Sequence, residues 1–219
     1  MNILDYIQTD LESFHPDDSI RVAKELFQKQ PFSHIAVLVE KKLLGVISKN
    51  DLVALDQNSK KISDLMYMLS SFHANDTDSF LELLHLFAIN ETDTLPVLNK
   101  SKEFLGYLDL SEVLTLFSAS DFLSQEGVFL SLEKESSAYS MTEIAQITET
   151  NKGKLLGVFV SKTNKNTTEI TVKIDIKNAD EIVQSFRRYD YTVRSSLRND
   201  SYLEDLKNRS NYLQKYLTL

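Results

Sequence analysis

Two stretches decide the fold: Gly45-Val-Ile-Ser-Lys-Asn-Asp51 and Gly106-Tyr-Leu-Asp-Leu-Ser-Glu112. Each is a short apolar run that begins at a glycine and is followed, six residues after the glycine, by an acid. Each is preceded by another apolar run, at residues 35–39 and 95–98. A unit of about sixty residues present in two copies indicates one supersecondary element that buries its core against its twin.

The segments before these runs also match. Apolar residues recur at helical spacing after Asp18 or Ser19, either of which can cap a helix, and again after Thr77, the predicted cap of the second helix. The two opening segments align on His15 and His73. Residues 1–60 and 61–122 are therefore predicted to form a pseudo-twofold α/β unit.

Composition excludes several classes of function. The 219 residues carry a formal net charge of −8 and contain no cysteine. An acidic chain without a basic run argues against nucleic acid and against anionic membrane surfaces, and a chain without thiols has no disulfides or zinc-thiolate sites. No membrane-spanning run or signal peptide is apparent, so a cytoplasmic protein is expected.

Residues 126–198 do not continue the repeat. Strand and helix patterns there follow the order βαββαβ, which predicts a ferredoxin-like sandwich of one sheet and two helices. A capping box at Ser140 starts the first of these helices, and Gly153 is expected to close it. Residues 199–219 are predicted to form a C-terminal helix.

The repeat resembles a tandem pair of cystathionine-beta-synthase (CBS) domains. The resemblance rests on F-H-P-D-D-S-I, on H-I-A-V-L with T-L-P-V-L, and most specifically on G-V-I-S-K-N-D-L. It implies regulatory binding of AMP, ADP, ATP or S-adenosylmethionine in clefts between the copies, with no tightly bound cofactor. It also implies a homodimer that forms through the helices of the pair.

With the region that follows, the chain resembles the bacterial acetoin-utilisation accessory proteins of the B type, in which the third unit is an ACT-like domain. The resemblance implies a sensor protein that acts on a protein effector and that can also dimerise through its ACT-like unit. The glycine usual between the first strand and first helix of ACT domains is missing from residues 133–140. An amino-acid site is therefore not expected.

Ser48 and Asp51 are the main candidates for a nucleotide site. Ser48 falls where a strand turns into a helix, so its hydroxyl and the free helix amides would face a phosphate. Asp51, one turn further, can accept hydrogen bonds from two ribose hydroxyls. In CBS domains these positions have those roles. The alternative is structural, because Ser48 and Asp51 also resemble a capping box.

The adenine would need an apolar wall with backbone hydrogen bonds. The positions implied by the resemblance are Ser13, Phe14, His34, Ile35 and Ala36. Core packing is the alternative role for Ile35 and Ala36.

The second copy departs from this pattern, since Asp109 replaces the serine and Glu112 the aspartate. Two unit charges about 4 Å apart at an effective dielectric of 20 interact by roughly 4 kcal/mol, which is as large as the binding energy of a millimolar ligand. The second cleft is therefore not expected to bind a nucleotide phosphate.

The chain shows no signature of an enzyme. Its four histidines do not have metal-ligand spacing, and neither a P-loop nor a G-x-S-x-G motif is present. The function predicted is a regulatory protein whose repeat binds an adenosine nucleotide beside Ser48 and Asp51 and changes the dimer or its partner binding. The alternative is an assembly module without a small-molecule site.

Overall fold

The computed structural model describes residues 3–29, 32–55, 60–175 and 177–195. The chain divides into two compact units, Met1–Ala119 and Ser120–Leu219, each described here by itself. The predicted C-terminal helix at 199–219 lies outside the described residues.

The first unit contains the two copies. The first copy has a 3-10 helix followed by α1, β1, β2 and α2, which span Ile3–Tyr6, Ile20–Lys29, His34–Val39, Lys42–Ser48 and Lys49–Ala54. In the second copy a 3-10 helix spans Ile62–Met68 and the short strand β3 spans Ala74–Asn75. They are followed by α3 (Phe80–Ile89), β4 (Thr94–Leu98), β5 (Phe104–Asp109) and α4 (Leu110–Ser118).

The hairpin loops explain how the copies differ in length. The β1–β2 loop is Glu40-Lys41, and both residues have positive φ (49° and 64°), as in the tight turns that suit a twisted hairpin. The β4–β5 loop is longer, with Lys102 at φ 62°. Val37 pairs with Gly45, and Val97 pairs with Gly106. The glycine strands therefore keep the same register in both copies.

The predicted alignment of His15 with His73 is wrong by two residues. The His15 amide donates to Asp18 Oδ2 over 2.7 Å, and the Asn75 amide donates to Asp78 Oδ2 over 2.8 Å. His15 therefore corresponds to Asn75. The sequences that follow the two histidines are similar, but the backbone pairing sets the alignment of the copies.

The predicted cap Thr77 is also wrong. Ser79 caps α3 in a reciprocal capping box, in which its hydroxyl accepts from the Glu82 amide and its own amide donates to Glu82 Oε2 over 2.7 Å. In the first copy Ser19 has this place, since its hydroxyl accepts from the Val22 amide over 3.3 Å.

The lead-in segments cross between the copies. Gln8, ahead of the first copy, exchanges two backbone hydrogen bonds of 2.8 and 2.9 Å with Tyr107 in β5 of the second copy. Ser70, ahead of the second copy, exchanges two of 2.9 Å with Val46 in β2 of the first. Each copy therefore extends the sheet of its twin.

Gly45 and Gly106 make this crossing feasible. A Cβ at Gly106 would lie 2.4 Å from the Gln8 carbonyl oxygen, and one at Gly45 would lie 2.8 Å from Leu69 Cβ. The close neighbour that requires glycine at each position is the lead-in segment of the chain itself.

Two buried clusters share strand β1. Ile35 and Val37 point into the core of the first copy, whereas Ala36 belongs to the core built around the second copy. This alternation explains why the strand is apolar on both faces.

The second unit has the element order βαββαβ after a short helix that the sequence did not predict. The short helix is α5 (Asp121–Ser124), and β6, α6, β7, β8, α7 and β9 follow at Val128–Glu135, Met141–Thr150, Leu155–Thr163, Thr167–Ile174, Ala179–Arg188 and Thr192–Ser195. The sheet order is β7-β8-β6-β9, with all neighbours antiparallel. Both long helices contribute to the core with β6 and β8.

Gly153 does not close α6 in the predicted way. The left-handed residue after the helix is Lys152, at φ 60°. A Cβ at Gly153 would lie 2.4 Å from Ile182 Cδ1, so the position is small because α7 packs against it.

Of the helices in the described ranges, none is both long and apolar enough to cross a bilayer.

Candidate functional site

The candidate site lies where β1 begins and β2 ends. His34 and Ser48 are directly paired across the hairpin. Ser48 is half-buried and caps α2, its hydroxyl oxygen accepting from the Asn50 amide over 3.1 Å. Asp51 lies in the first turn of α2 and is exposed. The hairpin and the helix cap thus bring three of the predicted residues to one place.

The helix amides expected to be free for a phosphate are partly occupied. The Lys49 amide donates to the Ser33 carbonyl over 2.8 Å, and the Asn50 amide donates to Ser48. The helix that follows has only six residues, so its dipole is weak. The expectation that these two amides would face a ligand is therefore corrected, while the Ser48 hydroxyl proton has no acceptor within the described chain.

His34 is the titratable group at the centre of this place. Burial lowers its pKa, while the charges of Asp93 and Asp51 act in the opposite direction. Its Nδ1 lies 2.9 Å from Ser33 Oγ, and its ring meets Phe72 edge-on at 5.5 Å between centroids. At neutral pH the lowered pKa leaves the imidazole mostly uncharged.

A reciprocal contact joins the two copies beside His34. The Ser33 amide and hydroxyl both donate to Asp93 Oδ1 over 2.8 Å, and the Asp93 amide donates back to Ser33 Oγ over 3.2 Å. Burial acts to raise the pKa of Asp93, but hydrogen bonds from Ser33 and Thr94 outweigh it and lower that pKa overall. Asp93 is therefore a carboxylate at neutral pH, held at the boundary between the copies.

The other predicted binding residues divide by burial. Ser13 and His34 are half-buried, whereas the side chains of Phe14, Ile35 and Ala36 belong to the cores. The backbone of Phe14 and Ala36 is also engaged within the protein, since the Phe14 amide donates to the Ala36 carbonyl over 2.9 Å and the Ala36 amide donates to Tyr107 Oη over 3.0 Å. The side chains of Ile35 and Ala36 therefore have the alternative role, which is core packing. The Phe14 side chain has the same role.

The second copy has the same geometry with different chemistry. Asp109 caps α4 by accepting from the Ser111 amide over 2.7 Å, and the Ser111 hydroxyl also donates to it. Glu112 Oε2 is buried and has no hydrogen-bond partner in the described structure. The Leu110 amide donates to the Asp93 carbonyl over 2.9 Å, so Asp93 contacts both halves of the pair.

A polar cluster in the second unit was not singled out by the sequence. Glu143 Oε2 accepts from Lys134 Nζ over 2.8 Å and from the Tyr191 hydroxyl over 2.7 Å. These bonds, that of Lys134 first, hold the pKa of Glu143 below its usual value, and burial with the Glu143 bond raises the pKa of Tyr191 to about 12. The three residues lie far apart in sequence, and no local motif marks them.

The cluster borders a groove of about 630 Å³ between α6 and α7. Apart from Ile147, the side chains that line it are polar, and Arg188 donates to the buried Ser185 hydroxyl over 2.7 Å. No group of three or more possible metal ligands occurs in the part of the chain that the structure describes.

Comparison with known proteins finds a family match for the first copy. Residues 3–58 match the family model of the CBS domain. The inosine-5′-monophosphate dehydrogenase of Thermoplasma acidophilum is 26% identical over 108 residues, which cover 48% of this chain and 21% of the enzyme. The match thus leaves most of that enzyme's length without a counterpart here.

Solved structures match about half of the chain. A CBS domain pair/ACT domain protein from Thermotoga maritima is 20% identical, with a TM-score of 0.47, over 53% of this chain and 96% of that one. A CBS domain pair in complex with 5′-methylthioadenosine and S-adenosyl-L-methionine is also 20% identical, with a TM-score of 0.45, over 54% of this chain and 96% of that one. The family match at residues 3–58, together with the repetition of its elements up to α4, supports a CBS domain pair in the first unit.

Proposed function

We propose that the chain is a cytoplasmic regulatory protein whose first unit binds an adenosine ligand beside Ser48 and Asp51. The candidate ligands are AMP, ADP, ATP and S-adenosylmethionine. The observation that carries the proposal is the geometry of β1, β2 and α2, which places the Ser48 hydroxyl and the exposed Asp51 carboxylate beside His34. A free hydroxyl and a carboxylate can together hold the hydroxyls of a ribose.

The site also has a route by which binding could be sensed. The Lys49 amide is bonded to Ser33, and Ser33 is bonded to Asp93 of the second copy. A ligand shifts an equilibrium only when it binds one arrangement more tightly than the other. A ligand at α2 that favours one Ser33–Asp93 geometry would therefore change how the copies meet, and with it the dimer or the binding of an effector protein.

Thermal denaturation of the full chain tests the proposal. A ligand that binds the native state alone stabilises it by RT ln(1 + [L]/Kd), about 2.7 kcal/mol at a hundred times Kd. We expect at least one of AMP, ADP, ATP and S-adenosylmethionine to raise Tm, and Asp51→Ala to remove that increase. Amino acids serve as the control, and an unchanged Tm with every adenosine compound near millimolar concentration would contradict the proposal.

Assembly is a second candidate function, favoured by an asymmetry between the copies. On α3 the side chains of Leu81 and Ile89 are exposed, whereas the corresponding positions of α1 carry Arg21 and Lys29. Leu114 on α4 is exposed as well, and so is its counterpart Val53 on α2. A homodimer through α3 and α4 would cover the apolar residues on those two helices, and Leu81→Lys should then shift the molar mass measured by light scattering from dimer to monomer.

The second unit is proposed to be an ACT-like, ferredoxin-like domain that contributes to the dimer, as in accessory proteins of acetoin utilisation. Its βαββαβ order and the β7-β8-β6-β9 sheet are compatible with this proposal. Removal of residues 120–219 should weaken dimerisation in sedimentation experiments, and an unchanged dimer would argue against a role for this unit in assembly.

A further inference from the structure

The charges around the proposed site are unusual for a phosphate site. Two carboxylates lie at this place. Asp93 Oδ1 accepts from the Ser33 hydroxyl, whose oxygen lies 2.9 Å from His34 Nδ1, and Asp51 lies in the first turn of the helix that Ser48 caps. His34 itself is mostly uncharged, because burial lowers its pKa. The field at the start of β1 is therefore negative.

The backbone offers little to offset this field. The Lys49 amide is bonded to the Ser33 carbonyl, and the Asn50 amide is bonded to the Ser48 hydroxyl. Phosphate sites at helix N-termini depend on free amides and on the helix dipole together. Here α2 has six residues and two of its first amides are engaged, so a phosphate would meet carboxylates without compensating donors from these two groups.

Asp93 and Asp51 contribute differently to the field. Asp51 is exposed, so solvent and salt screen its charge. Asp93 is half-buried and is fixed by three donors, the amide and hydroxyl of Ser33 and the hydroxyl of Thr94. A fixed and partly buried charge acts more strongly on a nearby ligand than an exposed one. The second copy thus supplies the more effective charge near the site of the first.

We propose that this cleft selects adenosine derivatives whose 5′ substituent carries no phosphate and is neutral or cationic, with Asp93 as the residue that sets the selectivity. The inference rests on the proposed function and narrows its ligand class. Asp51 remains free to accept hydrogen bonds from the ribose, while Asp93 attracts a cationic 5′ group, such as a sulfonium, and repels a phosphate.

Calorimetric titration of the full chain tests this selectivity with four probes: S-adenosylmethionine, 5′-methylthioadenosine, AMP and ATP. We expect S-adenosylmethionine to bind most tightly, neutral 5′-methylthioadenosine next, and AMP and ATP at least roughly tenfold more weakly than S-adenosylmethionine. Raising the salt concentration should weaken S-adenosylmethionine and strengthen AMP, because screening acts on attraction and repulsion alike.

Asp93→Asn isolates the charge. The amide oxygen of asparagine still accepts from Ser33, so the contact between the copies is retained while its charge is lost. We expect this variant to weaken S-adenosylmethionine and to strengthen AMP, each by roughly tenfold, and to leave 5′-methylthioadenosine within about twofold. Asp5→Asn, at an exposed residue of the first 3-10 helix, changes the net charge equally and should alter none of the affinities.

The outcomes separate the selectivity from the proposed function. If AMP or ATP binds as tightly as S-adenosylmethionine, or if Asp93→Asn changes all four affinities by one common factor, the selectivity is wrong while adenosine binding stands. If none of the four compounds binds, both fail. Should Asp93→Asn not fold, the salt dependence of the unaltered chain still decides, since salt-insensitive affinities for S-adenosylmethionine and AMP would overturn the role of the field.

Discussion

Removal of the Tyr107 hydroxyl should destabilise the first unit, because this group joins the two copies inside the core. The Ala36 amide of the first copy donates to Tyr107 Oη over 3.0 Å, and both residues are buried. Burial raises the pKa of Tyr107, so the hydroxyl keeps its proton. In Tyr107→Phe the ring contacts with Phe104 and Phe32 can persist, and the change is confined to the hydrogen bond.

The expected loss in free energy of unfolding is about 1–3 kcal/mol, the cost of leaving a buried amide without a partner. The contact from the Tyr107 hydroxyl to the Glu12 carbonyl is 3.5 Å long and adds little. Urea unfolding monitored by the NMR signals of residues 35–39 reports the stability of the first unit alone. Hydrogen exchange at the Ala36 amide should accelerate in parallel.

Tyr67→Phe is the matched control for this prediction. Tyr67 is 81% exposed and lies in the same unit, so loss of its hydroxyl should change stability by no more than about 0.5 kcal/mol. If Tyr107→Phe unfolds at the same urea concentration as Tyr67→Phe, the hydroxyl does not join the copies and the reasoning fails.

Three further predictions concern stability. Gly106→Ala should destabilise the first unit by roughly 1–3 kcal/mol in urea unfolding, because its Cβ would lie 2.4 Å from the Gln8 carbonyl oxygen; an unchanged midpoint would refute the crossing of the lead-in. Lys173→Met should lower the Tm of the second unit, because the buried ammonium donates to the carbonyls of Leu123 and Gln125 over 3.1 and 2.6 Å. The lowered pKa of Glu143 gives a contribution to stability that is present above about pH 4.5 and is lost as pH falls below it; Glu143→Gln should flatten this acid limb, and an unaltered pH profile would argue against it.

The sequence predicted the elements well where the pattern was local. The apolar faces of α1 and α3, the hairpins, and the cap at Ser48 all follow from periodicity and capping chemistry within a few residues. The βαββαβ order of the second unit followed from the same signals. The sequence similarity around His15 and His73 gave a wrong alignment of the copies. Pairing with the central strands sets this alignment, and the similarity of short segments does not.

The parts that depend on distant residues could not be predicted. Nothing local to Ser33 indicates that it meets Asp93 sixty residues later in the chain. The same holds for Gln8, whose partner in β5 belongs to the other copy. These contacts decide which helix amides are free. The sequence could therefore locate the candidate site from its helix cap, whereas the electrostatics of the site could be derived only from the structure.

The central claim is that the first cleft binds an adenosine ligand and the second cleft does not. The number of ligand molecules bound per chain tests this claim most directly. The measurement is calorimetric titration of the full chain with 5′-methylthioadenosine, repeated on Asp51→Ala and Glu112→Ala. We expect one molecule bound per chain, because Asp51 is exposed and can meet a ribose whereas Glu112 Oε2 is buried. Binding should be lost in Asp51→Ala and unchanged in Glu112→Ala. Two molecules per chain, or binding lost in Glu112→Ala and retained in Asp51→Ala, would contradict the claim.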